Sequence, residues 1–281
     1  MIGAIIGDIV GSKYEFNNIK TKNFPLLSRG CEFTDDTIMS IAVARALMEA
    51  DQTKKPFEKL LVTEMQGLGR RYPSSYGGRF ASWIYEKDPK PYNSFGNGSA
   101  MRVSACGLAA RSLEEAEEFG KASAEVTHNH PEGIKGAVST AGAVYLAKTG
   151  ASREQIREYL EAFYPLNQTV DEIRPDYYFN ETCQNTVPQA LICFLDSDSF
   201  EDSIRNAISI GGDSDTLAAI TGSISWPYYQ NHPGTDGKAA AFDTTPFEDM
   251  LPEEFLETLK EFDAYAKERS ANPDAEPILI K

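Results

Sequence analysis

Most of the chain alternates apolar and polar positions with the period of a helix. The opening segment, MIGAIIGDIVGS, reads as a helix that sets Gly3, Gly7 and Gly11 four apart on one face. Each glycine inside a helix costs about 1 kcal/mol relative to alanine, so such a row makes sense where another helix or a ligand approaches closely. Residues 35–50 carry Ile38, Met39, Ile41, Ala42, Ala46 and Leu47, apolar nearly all round, and so predict a central helix. An amphipathic helix follows over 56–70. Further helices are expected at 99–110, 113–125, 132–148, 152–162, 183–195, 199–209, 215–225 and 252–268. In LEEAEEFGKASAEV the acids read as a solvated face.

Between these segments, YPSSYGGRF (72–80) and YNSFGNGSAMR (92–102) are rich in Gly, Ser and Asn and read as loops. Residues 151–180, with Tyr164, Pro165 and DYYFN, are less regular, and beyond Trp226 the chain turns polar and Pro-rich (NHPGTDGK). Strand-like alternation is absent over any useful length, as are repeats of roughly 20–50 residues and any linker long enough to divide the chain. The expected fold is all-α: one large orthogonal bundle of about ten helices, with residues 1–281 as a single domain.

Composition narrows the partners. Of 281 residues 41% are hydrophobic and 25% charged, enough for a sizeable core, and the formal net charge is -15. That balance argues against a nucleic-acid backbone or an anionic membrane as partner, because both need clustered Lys and Arg. A nucleotide-like small molecule held by a local site stays open. Cys31, Cys106, Cys183 and Cys193 have no metal-ligand spacing and read as reduced, mostly buried thiols. The N-terminus lacks a basic region and Asp8 interrupts its apolar run, so no secretory leader is expected. Nor does any stretch approach the roughly 20 apolar residues of a membrane span. A cytoplasmic protein is expected.

Two acidic clusters stand out: FTDDT at 33–37 and GGDSDT at 211–216, each opening an apolar segment. Thr34 occupies an N-cap position, and Asp35 and Asp36 would complement the helix dipole, worth about 0.3–1 kcal/mol per charge. The recurrence at Asp213, Asp215 and Thr216, after two glycines, favours a second reading. Carboxylates converging in a buried site without a cation would each cost several kcal/mol or take up protons. Asp and Thr oxygens suit Mg²⁺, Mn²⁺ or Ca²⁺ rather than zinc. Four carboxylates facing each other would suffice for two divalent ions.

DSDT also has the D-x-D-x-T look of a phosphohydrolase loop, but Leu217 and the short remainder of the chain fit it poorly. The glycines of YGGRF and FGNGSAMR offer backbone N–H groups to a pyrophosphate, or are simply flexible turns. Phe95, Tyr76 and Tyr145 are candidates to stack on a base, or to fill the core. His128 and His130 have no cysteine near them to complete a zinc site.

In chain order, GDIVGSKYE (7–15), FTDDT (33–37), FGNGSAMR (95–102), THNHPEGIKGA (127–137) and GGDSDT (211–216) resemble the ADP-ribosylglycohydrolase family over residues 1–226. Among its branches, the resemblance leans toward the hydrolases of ADP-ribosyl-serine and of ADP-ribosylated dinitrogenase reductase. It implies an all-α fold with two Mg²⁺ or Mn²⁺ ions at the bottom of a cleft. The implied ligands are Thr34, Asp35, Asp36, Asp213, Asp215 and Thr216. Glu15 resembles the glutamate placed over the metals. Asp36, Asp215 or Glu15 would take the proton of the attacking water. Tyr76, Gly77, Gly78, Phe95, Asn97, Gly98, Ser99, Met101 and His128 are the implied ADP-ribose contacts. The implied activity is hydrolysis of the glycosidic bond between ADP-ribose and an acceptor, a protein side chain or a small molecule. A non-catalytic ADP-ribose binder or a structural protein of the same fold is the alternative.

Overall fold

Several helix starts in this chain are capped by polar side chains. Ser112, Ser152, Thr169 and Ser199 each accept the N–H three residues ahead, and His130 accepts the N–H of Glu132. At Ser152 and Thr169 the return bond from Gln155 or Glu172 completes a capping box. Thr34 and Asp213 occupy the same N-cap position at the two acidic helix starts, yet neither side chain caps its helix. What those side chains do instead defines the site.

The computed structural model describes residues 1–234, 237–272 and 276–281, so Thr235 and Asp236 of the polar NHPGTDGK stretch lie outside the described residues. The chain runs α1 (Ile2–Ser12), α2 (Asp35–Thr53), α3 (Phe57–Arg71), α4 (Gly78–Trp83), α5 (Gly98–Met101), α6 (Ser104–Ala109), α7 (Leu113–Glu125), α8 (Pro131–Lys148), α9 (Arg153–Glu161), α10 (Val170–Ile173), α11 (Cys183–Leu195), α12 (Phe200–Ser209), α13 (Ser214–Asn231), α14 (Thr245–Glu248) and α15 (Glu253–Ala271). The fold is all-α. Among the described residues there is no strand, only an isolated antiparallel bridge between Gly96 and Thr182. No described helix is long and apolar enough to cross a membrane.

The described residues hold more helices than the expected ten or so, with the short α10 and α14 where none is expected, and several boundaries differ from the periodicity. The expected helix over 99–110 is broken into α5 and α6 at Arg102 and Val103, where Val103 leaves the helical region and Arg102 buries its guanidinium against Ser123 and Thr127. Pro227 lies inside α13 without ending it, so that helix runs six residues past Ser225. The loop expected over 72–80 ends in the short helix α4.

The glycine row of α1 serves helix packing. A Cβ on Gly7 would lie 2.1 Å from the carbonyl oxygen of Ala218, and one on Gly11 2.4 Å from the Cα of Asp215. One on Gly3 would meet the carbonyl oxygen of Gly222 at 2.3 Å. The backbones of α1 and α13 therefore touch, which no side chain would permit. This contact sets Asp8 on α1 beside Asp215 on α13. α13 is buried without interruption from Ser214 to Ser225, and α2 over Asp36–Ala44, so both acidic starts open into the core.

Candidate active site

Asp8, a carboxylate inside an apolar helix, is the residue around which the site is built. It is buried and accepts from the backbone N–H of Thr34 (2.8 Å), the Thr34 hydroxyl (2.6 Å), the backbone N–H of Thr37 (3.0 Å) and the Thr37 hydroxyl. Asp8 thus caps α2 from a different helix, satisfying first-turn donors that Thr34 leaves open. With the turn so held, Asp35 and Asp36 are delivered in a fixed pose. Asp36 Oδ2 accepts from the Thr216 hydroxyl at 3.2 Å, joining the two clusters directly. Its other oxygen, Oδ1, is buried with no hydrogen-bond partner.

The second cluster is built by a turn. Gly211 and Gly212 have φ of 72° and 82°, a region costly for other residues. Asn18 clasps this turn, its amide donating to the Gly212 carbonyl and its oxygen accepting the Gly212 N–H, both at 2.8 Å. Asp213 accepts from the Asn97 amide at 2.7 Å, and that amide also donates to Thr186 at 3.2 Å.

One carboxylate oxygen each from Asp8, Asp36 and Asp215 lie within 4.8 Å of one another, and so do one each from Glu15, Asp213 and Asp215. Two acidic trios therefore share Asp215. Burial and crowding push protons onto Asp8, Glu15, Asp35, Asp36 and Asp215. Burial raises Asp8 to about 6, against the hydrogen bonds from Thr34 and Thr37 that favour its charge. Burial, with the fields of Asp213 and Asp35, lifts Glu15 to about 7; burial and Asp8 lift Asp35 to about 7. Asp36 and Asp215 are driven well above the ordinary carboxylate range, by burial first and by neighbouring acids next.

These directions set a pH dependence for the metal-free protein. A carboxyl whose folded pKa is raised binds its proton more tightly when folded, so its penalty is absent below the unfolded value near 4 and grows as pH rises through 6 to 7. In EDTA the melting temperature should therefore be higher at pH 5.5 than at pH 8. Thermal denaturation at the two values checks this; a higher melting temperature at pH 8 would show that the acids do not converge.

The acids floor a cleft of about 360 Å³. Of the residues singled out in the sequence, Glu15, Asp35, Asp36, Asp213, Asp215 and Thr216 line it together with Gly77, Gly78, Phe95, Asn97, Gly98, Met101 and His128. Thr34, Tyr76, Ser99, His130 and Tyr145 do not line it. The Thr34 hydroxyl donates to Asp8 at 2.6 Å, Tyr76 donates to the Tyr72 carbonyl at 2.7 Å, Ser99 donates to the Gly133 carbonyl at 2.7 Å, and Tyr145 donates to the Arg111 carbonyl at 3.2 Å. His130 caps α8 and packs on Phe95, with ring centres 5.3 Å apart.

The cleft is also lined by Arg79, Phe80, Tyr92, Glu181 and, above all, Arg102. Arg102 is buried, and its described hydrogen bonds all go to neutral oxygens, of Ser123 and Thr127. Burial lowers its pKa only to about 10, so it remains a cation in the wall of the cleft. His128 bonds to the Thr127 hydroxyl at 2.7 Å, and burial with Arg102 holds it well below the usual imidazole value, hence neutral. Arg102 stands inside the FGNGSAMR motif; Asp8 stands one residue after a packing glycine, a place where an acid is hard to explain unless it is bonded.

Fold and site together define an all-α protein built around an acid-floored cleft. The chain belongs to the ADP-ribosylglycohydrolase family, whose model matches residues 1–225. It is similar to the ADP-ribosylhydrolase ARH3 of Bos taurus, 25% identical over 310 residues that cover 82% of this chain and 83% of the relative. It is also similar to the ADP-ribosylarginine hydrolase Tri1 of Serratia proteamaculans, 25% identical over 265 residues covering 82% and 70%. Among solved structures, an ADP-ribosylglycohydrolase-related protein complex superposes with a TM-score of 0.64 at 21% identity, covering 96% of each chain. That likeness is one of fold.

Proposed function

We propose that the chain, acting as one domain, hydrolyses the glycosidic bond between ADP-ribose and an acceptor and releases ADP-ribose. The observation that carries the reading is the convergence of Asp36, Asp213, Asp215 and Glu15 at the floor of a cleft whose wall holds the buried cation Arg102. The family and the relatives' names support the same chemistry.

The acids fit a pair of divalent cations. Their donors are hard oxygens, Asp36 Oδ1 is buried without a partner, and mutual repulsion favours a positive charge between them. Asp36, Asp213, Asp215 and Glu15, with Asp35 and Thr216, would hold Mg²⁺ or Mn²⁺; Asp8, already bonded to four donors, positions rather than binds. When bound, such ions supply positive charge at the floor and make nearby water more acidic.

The chain's own groups do the rest. Arg102 offsets the charge of the pyrophosphate, with the backbone N–H groups of Gly77, Gly78 and Gly98 as donors. Neutral His128 is a hydrogen-bonding group beside those glycines. As the bond to the acceptor breaks, the anomeric carbon gains oxocarbenium character, and the surrounding carboxylates stabilise it. Water forms the new bond and gives its proton to Asp36, Asp215 or Glu15, and that proton passes to the departing acceptor.

The test is a panel of ADP-ribosylated acceptors (arginine, serine, O-acetyl, nucleic-acid end) incubated with Mg²⁺ or Mn²⁺, with free ADP-ribose as the readout. Release from at least one acceptor, abolished by EDTA, is expected. ADP-ribose binding with no release from any acceptor would make the protein a binder instead.

A further inference from the structure

The loop that carries the Gly77–Gly78 wall of the cleft begins at Tyr72, where α3 ends with the Tyr72 N–H on the Leu68 carbonyl at 2.8 Å. Inside the loop, the Tyr76 hydroxyl returns to the Tyr72 carbonyl at 2.7 Å, and the Tyr76 ring packs on Phe80 with centres 5.5 Å apart. The Ser74 hydroxyl reaches Asp35 at 3.4 Å and joins the loop to the acid floor. Ser75, Gly77, Gly78, Arg79 and Phe80 then face the cleft.

Tyr72 is tied to α15, which lies beyond the residues matched by the family model. Glu254, in the first turn of that helix, accepts the Tyr72 hydroxyl at 2.6 Å. The same carboxylate accepts from Arg45 of α2 at 3.0 Å and lies 3.3 Å from Arg71 at the end of α3. Arg45 also donates to the Glu254 carbonyl at 3.0 Å and to the Thr258 hydroxyl at 2.9 Å, which fixes α15 to α2. The Tyr72 bond above all, with Arg45 and Arg71, holds the Glu254 carboxyl below the usual carboxylate range, so the link is charge-assisted. One residue on, Phe255 is buried, its ring centre 4.8 Å from that of Tyr72 and 5.6 Å from that of Phe33. Phe33 immediately precedes Thr34, whose N–H is held by Asp8. The start of the acidic cluster and the start of the glycine loop therefore meet on one turn of α15.

We propose that Glu254 is a positioning residue of the hydrolase site: through the Tyr72 hydroxyl it sets the loop 72–78, and with it the distance from the Gly77–Gly78 wall to Asp35. Glu254 itself does not line the cleft. Under the hydrolase reading, on which this role rests, ADP-ribose must touch both sides, its pyrophosphate at the wall and its scissile ribose at the floor. Displacing one side by about 1 Å costs up to about a hundredfold where both are needed. Ring packing alone tolerates sliding, whereas a directional hydrogen bond to a carboxylate that Arg45 also grips fixes one position.

Tyr72→Phe removes one oxygen and keeps the ring between Phe33 and Phe255. With Mn²⁺ present it should raise the Kd of ADP-ribose about tenfold, as should Glu254→Ala. The double variant should bind no worse than either single one, because both break the same link. Glu254→Gln still bonds the Tyr72 hydroxyl in either orientation of its amide, and should keep the Kd within about twofold of wild type. Tyr265→Phe is the control: it deletes another hydroxyl of α15, bonded to Asp51 at 3.2 Å away from the cleft, and should leave the Kd unchanged. Titration calorimetry reads the Kd, and thermal denaturation shows that each variant is folded. Wild-type affinity in Tyr72→Phe and Glu254→Ala, or an equal loss in Tyr265→Phe, overturns the positioning role and leaves the hydrolase reading intact. A wild type that releases ADP-ribose from no acceptor overturns both.

Discussion

Asp215→Asn should abolish divalent-cation binding and ADP-ribose release together, the latter by more than about a thousandfold, without unfolding the protein. Asp215 belongs to both acidic trios, so its loss removes a ligand from each. Asparagine has the same shape and can still accept the Thr216 N–H that Asp215 Oδ1 accepts at 2.9 Å. The metal-free protein should even gain stability, because Asp213 and Asp36 no longer face a third buried carboxyl. Metal binding separates this from a folding defect. With Mn²⁺ at about 100 times its Kd, wild type should gain about 2.7 kcal/mol of stability, read as a rise in melting temperature. The variant should gain none. Retention of the Mn²⁺-dependent rise would remove Asp215 from the cation site.

The second large effect concerns the scaffold. Gly7→Ala should destabilise the protein by about 3 kcal/mol or more, lowering the melting temperature by roughly 5–10 °C. The added Cβ would lie 2.1 Å from the oxygen and 2.3 Å from the carbon of the Ala218 carbonyl, and 2.7 Å from the Ala219 nitrogen. All three are backbone atoms of a buried helix, so no side chain can swing aside. Relief requires α1 and α13 to separate, which moves Asp8 from Asp215. Gly67 supplies the contrast: it lies in α3, and a Cβ there meets nothing within 4 Å. Gly67→Ala should therefore stabilise by up to about 1 kcal/mol. Similar melting temperatures for the two variants would contradict the backbone contact.

Helices were legible wherever an apolar stripe met a polar one, and α11 has the bounds its periodicity predicts. The break at Arg102 was not, because a guanidinium satisfied by Ser123 and Thr127 depends on contacts 21 and 25 residues away. The acidic clusters were legible as chemistry, since adjacent Asp and Thr at a buried helix start have few other uses. Asp8 was not. Its meaning lies in bonds to Thr34 and Thr37, on a different helix, and in sequence it only interrupts an apolar run. Tyr76 and Ser99 illustrate the converse. They sit within recognisable motifs, yet their hydroxyls are spent on carbonyls, and a motif does not say which way each side chain turns.

The bond from Thr216 to Asp36 spans 180 positions. Half of the acidic floor thus leaves the ribosome long before the other half, and closing so long a loop is slow compared with local helix formation. A nascent chain that has not yet extruded α13 holds Asp8 and Asp36 without their partners and has no competent floor. The floor is completed only when the opening helix, Ile2–Ser12, is clasped by Ser214–Asn231.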